Sequence, residues 1–530
     1  MVTEPELLKS IINNNSNNEF QTGEFSGEAE EFDQLLTLIK SKLKNYINEG
    51  TNNSEACPAI TPIDKRELSK VLNLNLTKKG EGHEGVDKLV DNVLKYSVNG
   101  WTPNYCDKLC SSTTPIGVMS ELILGALNAT AHVYHVSPCL IQMELAAGRE
   151  LTNLLGYSGP SRGGLTFPGG SQSNFMAISL ARNLKFPSIK INGFDGEKLA
   201  IFTPQQGHYS IDKAAISLGV GLKRVYKVPC NIDGSMIPEQ LELMIQQSIR
   251  NGEQPFFVNS SAGSTVLGAF DDFGKISQIC KKYDLWYHID GSWGGSIIFS
   301  KTHRHLLNNA ELSDSFTVNP HKLLGVPVQC SYLLLQDRFL LNQAHTLNAD
   351  YLFHNNDTAT NSTTSPDSLD PDSWLYSNMD LADGTVGCGR RPDGFKMFLT
   401  WKYVGTEGFT KRVDHALSCA QFFQHKIQQH PNFKLLVPAT SLNVCFYYLP
   451  SCRDQGLFDE TVLTTNSEIP QIPEHYSYIT KDIIEMMKEE GKIMIDYSHS
   501  KMVFNHPKTS EASISNLINE INRFGHELME

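Results

Sequence analysis

Apolar side chains recur with a helical period over residues 32–47 (Leu35, Leu36, Leu38, Ile39, Leu43), 86–96, 116–127 and 138–155, and each stretch predicts an amphipathic helix. The last carries Glu144, Arg149 and Glu150, which the pattern assigns to its polar face. From Leu165 onward short β-rich runs alternate with helical stretches. Strands are predicted over 199–203, 224–228, 255–259, 285–290 and 316–318, with helices over 174–183, 211–218, from about 238, and 273–283. Such alternation argues a mostly parallel sheet covered by helices on both faces, with ligand loops along the strands' carboxyl edge. Beyond it, helices at 395–405, 413–430 and 513–528 and strands at 442–448 and 492–496 read as a smaller α+β domain.

Two polar stretches fall outside these periods. Residues 1–30, with the run Asn13 to Asn18 broken only by Ser16, bury too little apolar surface to offset their ordering entropy and read as a disordered tail. Residues 354–373 form a turn-rich insert. The expected organisation is a tail (1–30), an N-terminal helical segment (31–150), a large domain (151–400) and a small C-terminal domain (401–530). Composition changes this picture little: at 530 residues, 40% hydrophobic and 19% charged, the chain is an ordinary globular one. A net charge of −13 argues against a nucleic-acid partner and against a polybasic membrane anchor. No apolar run is long enough to span a bilayer and no signal sequence is evident, so a cytoplasmic location is expected. Eleven cysteines without CxxC spacing fit reduced thiols. Cys106, Cys110, His132 and His135 lack further partners at metal-ligand spacing, so no metal is expected.

The candidate chemistry lies at the predicted strand ends. Lys322 follows the strand 316–318 and the Asn319-Pro320 turn, where partial desolvation would leave some of its amine unprotonated and nucleophilic. Gly169-Gly170-Ser171-Gln172-Ser173 opens a helix whose free N–H groups and dipole favour a phosphate, although the same residues also serve as an ordinary turn and cap. Asp290 ends the strand LWYHID and is followed by Gly291, Ser292, Gly294 and Gly295. Its carboxylate would pair with a protonated ring nitrogen while the small neighbours leave room for a flat ring, or it would cap a helix. His208 in QQGHYS is placed to stack on a ring, and Ser264 and Thr265 offer hydroxyls at another strand end. A phosphate cradle, a stacking group, a carboxylate and an amine on one sheet edge are what pyridoxal 5'-phosphate requires.

The segments GGSQSN (169–174), HYS (208–210), SAGSTVLGAFD (261–271), LWYHIDGSWGG (285–295), NPHKLLGVPVQCS (319–331) and CGRRPDGFKMFLTWKYVGTEGF (388–409) resemble the group II pyridoxal-phosphate decarboxylases, nearest to glutamate and cysteine sulfinate decarboxylases. The resemblance runs from about residue 90 to the C-terminus. It implies an aspartate-aminotransferase-like α/β fold (fold type I) and a homodimer with shared active sites. It further implies that Lys322 holds the cofactor as a Schiff base, that Asp290 keeps the pyridine nitrogen protonated, and that His208 and Ser292 flank the ring. Gly170, Ser171, Gln172, Ser173, Asn319 and His321 would serve the phosphate and Ser264 the ring hydroxyl. Tyr351 would deliver a proton from a mobile loop.

Two departures bear on the substrate. Lys501 stands where the family usually has an arginine, keeping the charge but losing the bidentate fork. Lys108 stands near where the glutamate enzymes have a glutamine. Both cations favour an acidic amino acid, and the expected reaction is glutamate to 4-aminobutyrate and carbon dioxide. Aspartate or cysteine sulfinate comes next and an aromatic amino acid after them. A transaminase on the same fold and a non-catalytic relative are the readings from other classes.

Overall fold

Strands buried on both faces need apolar side chains at successive positions rather than at alternate ones, and the central runs of this chain have them. The computed structural model describes residues 27–52, 57–347, 379–449, 474–496 and 501–529. In it β1 (Gly163–Phe167), β2 (Leu199–Pro204), β3 (Val225–Val228), β4 (Gln254–Ser261), β5 (Trp286–Gly291), β6 (Ser315–Val318) and β7 (Ser331–Leu335) form one sheet. The strand order is β1-β7-β6-β5-β4-β2-β3. All neighbours from β6 to β3 pair in parallel, and β7 runs antiparallel to both β1 and β6. Leu165, Ile201, Phe202, Val258, Ile289 and Phe316 are buried in this sheet and carry the core.

The helices between strands follow the apolar periods closely: Gly170–Lys185, Ser210–Ser217, Pro238–Arg250 and Phe273–Lys282. The last is capped by Asp272, whose side chain accepts the Lys275 N–H. A second, antiparallel sheet consists of β8 (Phe433–Leu435), β9 (Asn443–Tyr448) and β10 (Lys501–Val503), with β9 central. Helix Asp393–Gln429 runs through both stretches predicted as separate helices, with a kink at Gly405 (φ 70°, ψ 172°) that only a residue without a Cβ adopts cheaply. Helix Glu511–Glu527 starts in a reciprocal cap between Ser510 and Ser513. The strand expected at 492–496 is confined to Met494–Ile495.

The chain divides into two compact units, Met1–Tyr105 with Met486–Met494, and Cys106–Glu485 with Ile495–Glu530. Within the first, helices Glu28–Asn52 and Gly82–Tyr96 are tied by Lys42, whose Nζ lies 3.0 Å from Asp87 and 2.5 Å from Asp91. The seven-stranded and three-stranded sheets lie within the second. The disordered tail expected at 1–30 falls mostly outside the described residues, and helix Glu28–Asn52 begins inside its predicted limit.

One expectation is corrected here. Glu144 is not on a solvated face of helix Pro138–Leu155 but fully buried. Its carboxylate accepts the Thr166 N–H (2.7 Å) and hydroxyl (2.9 Å) and pairs with Arg390 at 2.5 Å. Arg390 also donates to the carbonyls of Ala131 and Thr166. Arg149 and Glu150 stay at the surface while Glu144 turns onto β1, and its charge is tolerated there because Thr166 and Arg390 answer it.

Candidate active site

The carboxyl edge of the parallel strands opens into a cavity of about 220 Å³. From the end of β5 and the turn after it come Asp290 and Ser292, from the turn after β6 come Asn319, His321 and Lys322, from the loop after β2 comes His208, and from the turn after β4 come Ser264 and Thr265. Gly170 and Ser171 bring the start of helix Gly170–Lys185, where the first N–H groups have no intrahelical partner. Strand pairing fixes the spacing: β5 sets Asp290 opposite Thr317 of β6, so the carboxylate and the Lys322 turn leave the sheet side by side.

Asp290 is nearly buried. Its Oδ1 accepts the Ser292 N–H (3.0 Å) and its Oδ2 the Asn174 side-chain N–H (2.8 Å). Burial pushes this carboxyl up, but the charge His208 takes on at the acid pH where the carboxyl titrates, the hydrogen bonds from Ser292 and the charge of Lys322 outweigh it, and the net direction is below the ordinary aspartate value. The alternative reading of Asp290 as a helix cap does not describe it, because the next helical turn starts only at Gly294. His208 is pushed down from its ordinary value chiefly by burial and so is neutral near pH 7. Its Nδ1 accepts the Ser210 N–H at 3.1 Å, which leaves the ring proton on Nε2. His321 lies with Nδ1 2.6 Å from the Cys330 carbonyl oxygen and is pushed by burial down to about 4. Ser264 Oγ accepts the Ala269 N–H at 3.1 Å, so its own proton remains to be donated.

The small residues after Asp290 do something other than expected. A Cβ on Gly291 would stand 2.5 Å from Phe316 Cε1, and one on Gly295 would stand 2.8 Å from the same atom. These glycines make room for a core phenylalanine beneath the site rather than for a ring within it. The close approach inside the cavity belongs to Gly170, where a Cβ would press on Ser292 and come within 2.8 Å of Asn319 Nδ2.

Not every residue singled out from sequence lines this cavity. Gln172 and Ser173 turn their N–H groups to the Gly169 carbonyl, and the Ser173 hydroxyl lies 2.7 Å from that of Ser331. Lys108 is half-exposed, with Nζ 3.0 Å from Asp107 and 3.7 Å from Asp496. The side chain of Lys501 lies outside the described residues, although its backbone pairs with Cys445. Tyr351 and the insert 354–373 also lie outside them. Sequence reasoning missed Asn174, Tyr209 and Trp293, all of which line the cavity. Asn174 sits one residue beyond the glycine-serine turn, and no spacing rule marks it.

These residues fit pyridoxal phosphate. Asn319 Oδ1 is buried in the cavity wall without a hydrogen-bond partner, the wall carries an ionised carboxylate and a primary amine, and the Gly170 backbone leaves a cradle that a Cβ would fill. A seven-stranded sheet with one reversed strand and this edge constellation define an aspartate-aminotransferase-like enzyme that uses pyridoxal phosphate. Residues 62–449 match the pyridoxal-dependent decarboxylase conserved domain, and the chain belongs to that family of amino acid decarboxylases.

Among its relatives, the L-aspartate decarboxylase dtxS4 of Metarhizium robertsii is 45% identical over 394 residues, covering 74% of this chain and 75% of that protein. The cysteine sulfinic acid decarboxylase of Rattus norvegicus is 34% identical over 492 residues, 91% of this chain and 94% of its own. The crystal structure of mouse CSAD superposes with a TM-score of 0.82 at 32% identity, over 94% of this chain and 100% of that one.

Proposed function

We propose that this decarboxylase acts on a short acidic amino acid, with aspartate and cysteine sulfinate ahead of glutamate. The observation that carries the chemistry is the ionised, buried Asp290 in one cavity with Lys322. The substrate class is supported by relatives named for aspartate and cysteine sulfinate. That order revises the sequence-based preference for glutamate toward acids with shorter side chains.

When bound, pyridoxal phosphate supplies an electron sink for the pair left behind as carbon dioxide departs. Lys322 would provide the amine that attaches it and that the substrate amine would replace. Asp290 would keep a positive charge on the ring nitrogen by holding its own negative charge, which its hydrogen bonds secure. His208, neutral and oriented by the Ser210 N–H, would stack on the ring. The N–H groups of Gly170 and Ser171 and the Asn319 side chain would hold the phosphate. Tyr351 returns a proton to the carbon that lost its carboxylate, and Lys501 meets the side-chain acid of the substrate. Lys108, already held by Asp107 and Asp496, has less charge to offer an incoming acid.

Two copies of the chain form the working unit in this proposal. Met119, Ile123 and Leu127 make a stripe one helical turn apart on helix Pro115–Leu127, each exposed by 41–55%, and such a face is suited to a second copy.

The test is a competition. Purified protein loaded with pyridoxal phosphate is given aspartate, cysteine sulfinate, glutamate and an aromatic amino acid in equal amounts, and the products are identified by mass. β-Alanine or hypotaurine is expected to dominate. A dominant 4-aminobutyrate peak would return the assignment to glutamate, and an aromatic amine would refute the acidic pocket. No amine at all would overturn decarboxylation.

A further inference from the structure

From Asn174 in the cavity wall a string of buried polar side chains runs inward past Asp290, and the reaction as described does not use it. Asn174 is 1% exposed, and His288 and Ser315 are not exposed at all. Asn174 Nδ2 lies 2.8 Å from Asp290 Oδ2 and 3.0 Å from Ser210 Oγ. Asn174 Oδ1 lies 3.1 Å from His288 Nε2. His288 Nδ1 lies 2.8 Å from Ser315 Oγ, and Ser315 Oγ lies 2.8 Å from Trp286 Nε1. The Thr317 hydroxyl stands 3.5 Å from His288 Nε2.

The chemistry at the two ends, with a neutral imidazole between them, fixes the direction of every bond. An ionised carboxylate only accepts, so Asn174 must turn its NH2 to Asp290 and its carbonyl oxygen to His288. That oxygen in turn requires a proton on His288 Nε2. The indole N–H of Trp286 only donates, so the Ser315 oxygen receives it. Burial pushes His288 down to about 4, so the imidazole is neutral and carries one proton. With that proton on Nε2, Nδ1 is an acceptor and takes the Ser315 hydroxyl proton, and all four bonds point toward Asp290. Bonds aligned head to tail in a dry interior reinforce one another. The second N–H of Asn174 reaches Ser210, whose backbone N–H orients His208, so one amide steadies both the edge and the stacking partner of the ring.

We propose that His288 and Asn174 are positioning residues of this decarboxylase. They hold Asp290 ionised and in one orientation through a directed chain that begins at Trp286, and so set how strongly the site favours a protonated ring nitrogen. The inference rests on the proposed pairing of Asp290 with that nitrogen.

The test compares two ligands. Dissociation constants are measured for pyridoxal phosphate and for the analogue in which a CH replaces the ring nitrogen, using the parent protein, His288→Leu and His288→Gln. The parent is expected to prefer the nitrogen-bearing ligand. In His288→Leu that preference falls about tenfold, the worth of a hydrogen bond to a charged group, and His288→Gln, which can still donate to Asn174, restores most of it. Equal weakening of both ligands, or no change in the ratio, would overturn the inference, because damage without direction has those outcomes. A parent that shows no preference would instead overturn the partner assigned to Asp290. Should the leucine variant not fold, ring-15N histidine spectra of the unaltered protein decide the matter. A neutral His288 protonated on Nε2 is expected, and a proton on Nδ1 would overturn the directed chain.

Discussion

At the scale of single residues, the amine and the carboxylate have separable consequences. Lys322→Ala should abolish covalent cofactor attachment and lower the decarboxylation rate by at least about a thousandfold, while the cofactor-free protein melts as the parent does; an undiminished rate would remove Lys322 from the mechanism. His321 gives a pH dependence with a defined sign. In the unfolded chain it binds a proton near pH 6.5, whereas in the folded site burial delays this to about 4. Between those values the unfolded chain gains protons that the folded one refuses, so stability falls as pH falls. The contribution lost between pH 7 and pH 4.5 is about 2 kcal/mol. His321→Gln does not titrate, so its stability deficit relative to the parent should shrink by that amount over the same interval in denaturant unfolding. A constant deficit would show that His321 is not held neutral. Lys322, Asp290 and His208 were visible in sequence because each stands at the end of a run whose period identifies a strand. His288 carried a weaker signal: two residues before Asp290, it shares a face of β5 with it.

At the scale of elements, two buried contacts hold the main sheet and its covering together. Glu144→Gln would leave Arg390 buried without its counter-charge, and a loss of about 3–5 kcal/mol is expected in thermal or denaturant unfolding. Adding Arg390→Met should recover part of it. A loss under about 1 kcal/mol would mean the pair carries little. Gly291→Ala should cost about 1–3 kcal/mol by driving a methyl into Phe316, and Phe316→Leu in the same chain should relieve only part of it, because the added Cβ also stands 2.7 Å from the Thr317 carbonyl oxygen. The parallel strands were legible because runs such as 255–258 are apolar throughout. β1 and β7 were not assigned, since Gly163-Gly164 weakens one strand signal and Tyr332-Leu333-Leu334-Leu335 fits a buried helix as well as a strand. Glu144 misled for a related reason: helical period marks a polar residue but not the partner that lets it go inside.

At the scale of the whole molecule, the proposed two-copy unit predicts that Met119→Glu with Ile123→Glu converts dimer to monomers in sedimentation and lowers activity with it; a dimer unchanged by the pair would move the subunit contact elsewhere, and a monomeric parent would overturn the two-copy unit. The apolar stripe was present in the helical period, but its exposure depends on what the rest of the chain leaves uncovered. The order of strands in the main sheet has one more consequence, for the time course of folding. Gly170, His208, Asp290 and Lys322 come together only when strands distant in sequence have paired, with β7 inserted between β1 and β6. Non-local pairings of this kind form slowly. During refolding, helical signal should therefore return well before the protein can capture its cofactor, and the pyridoxal chromophore becomes a clock for the last step of sheet assembly.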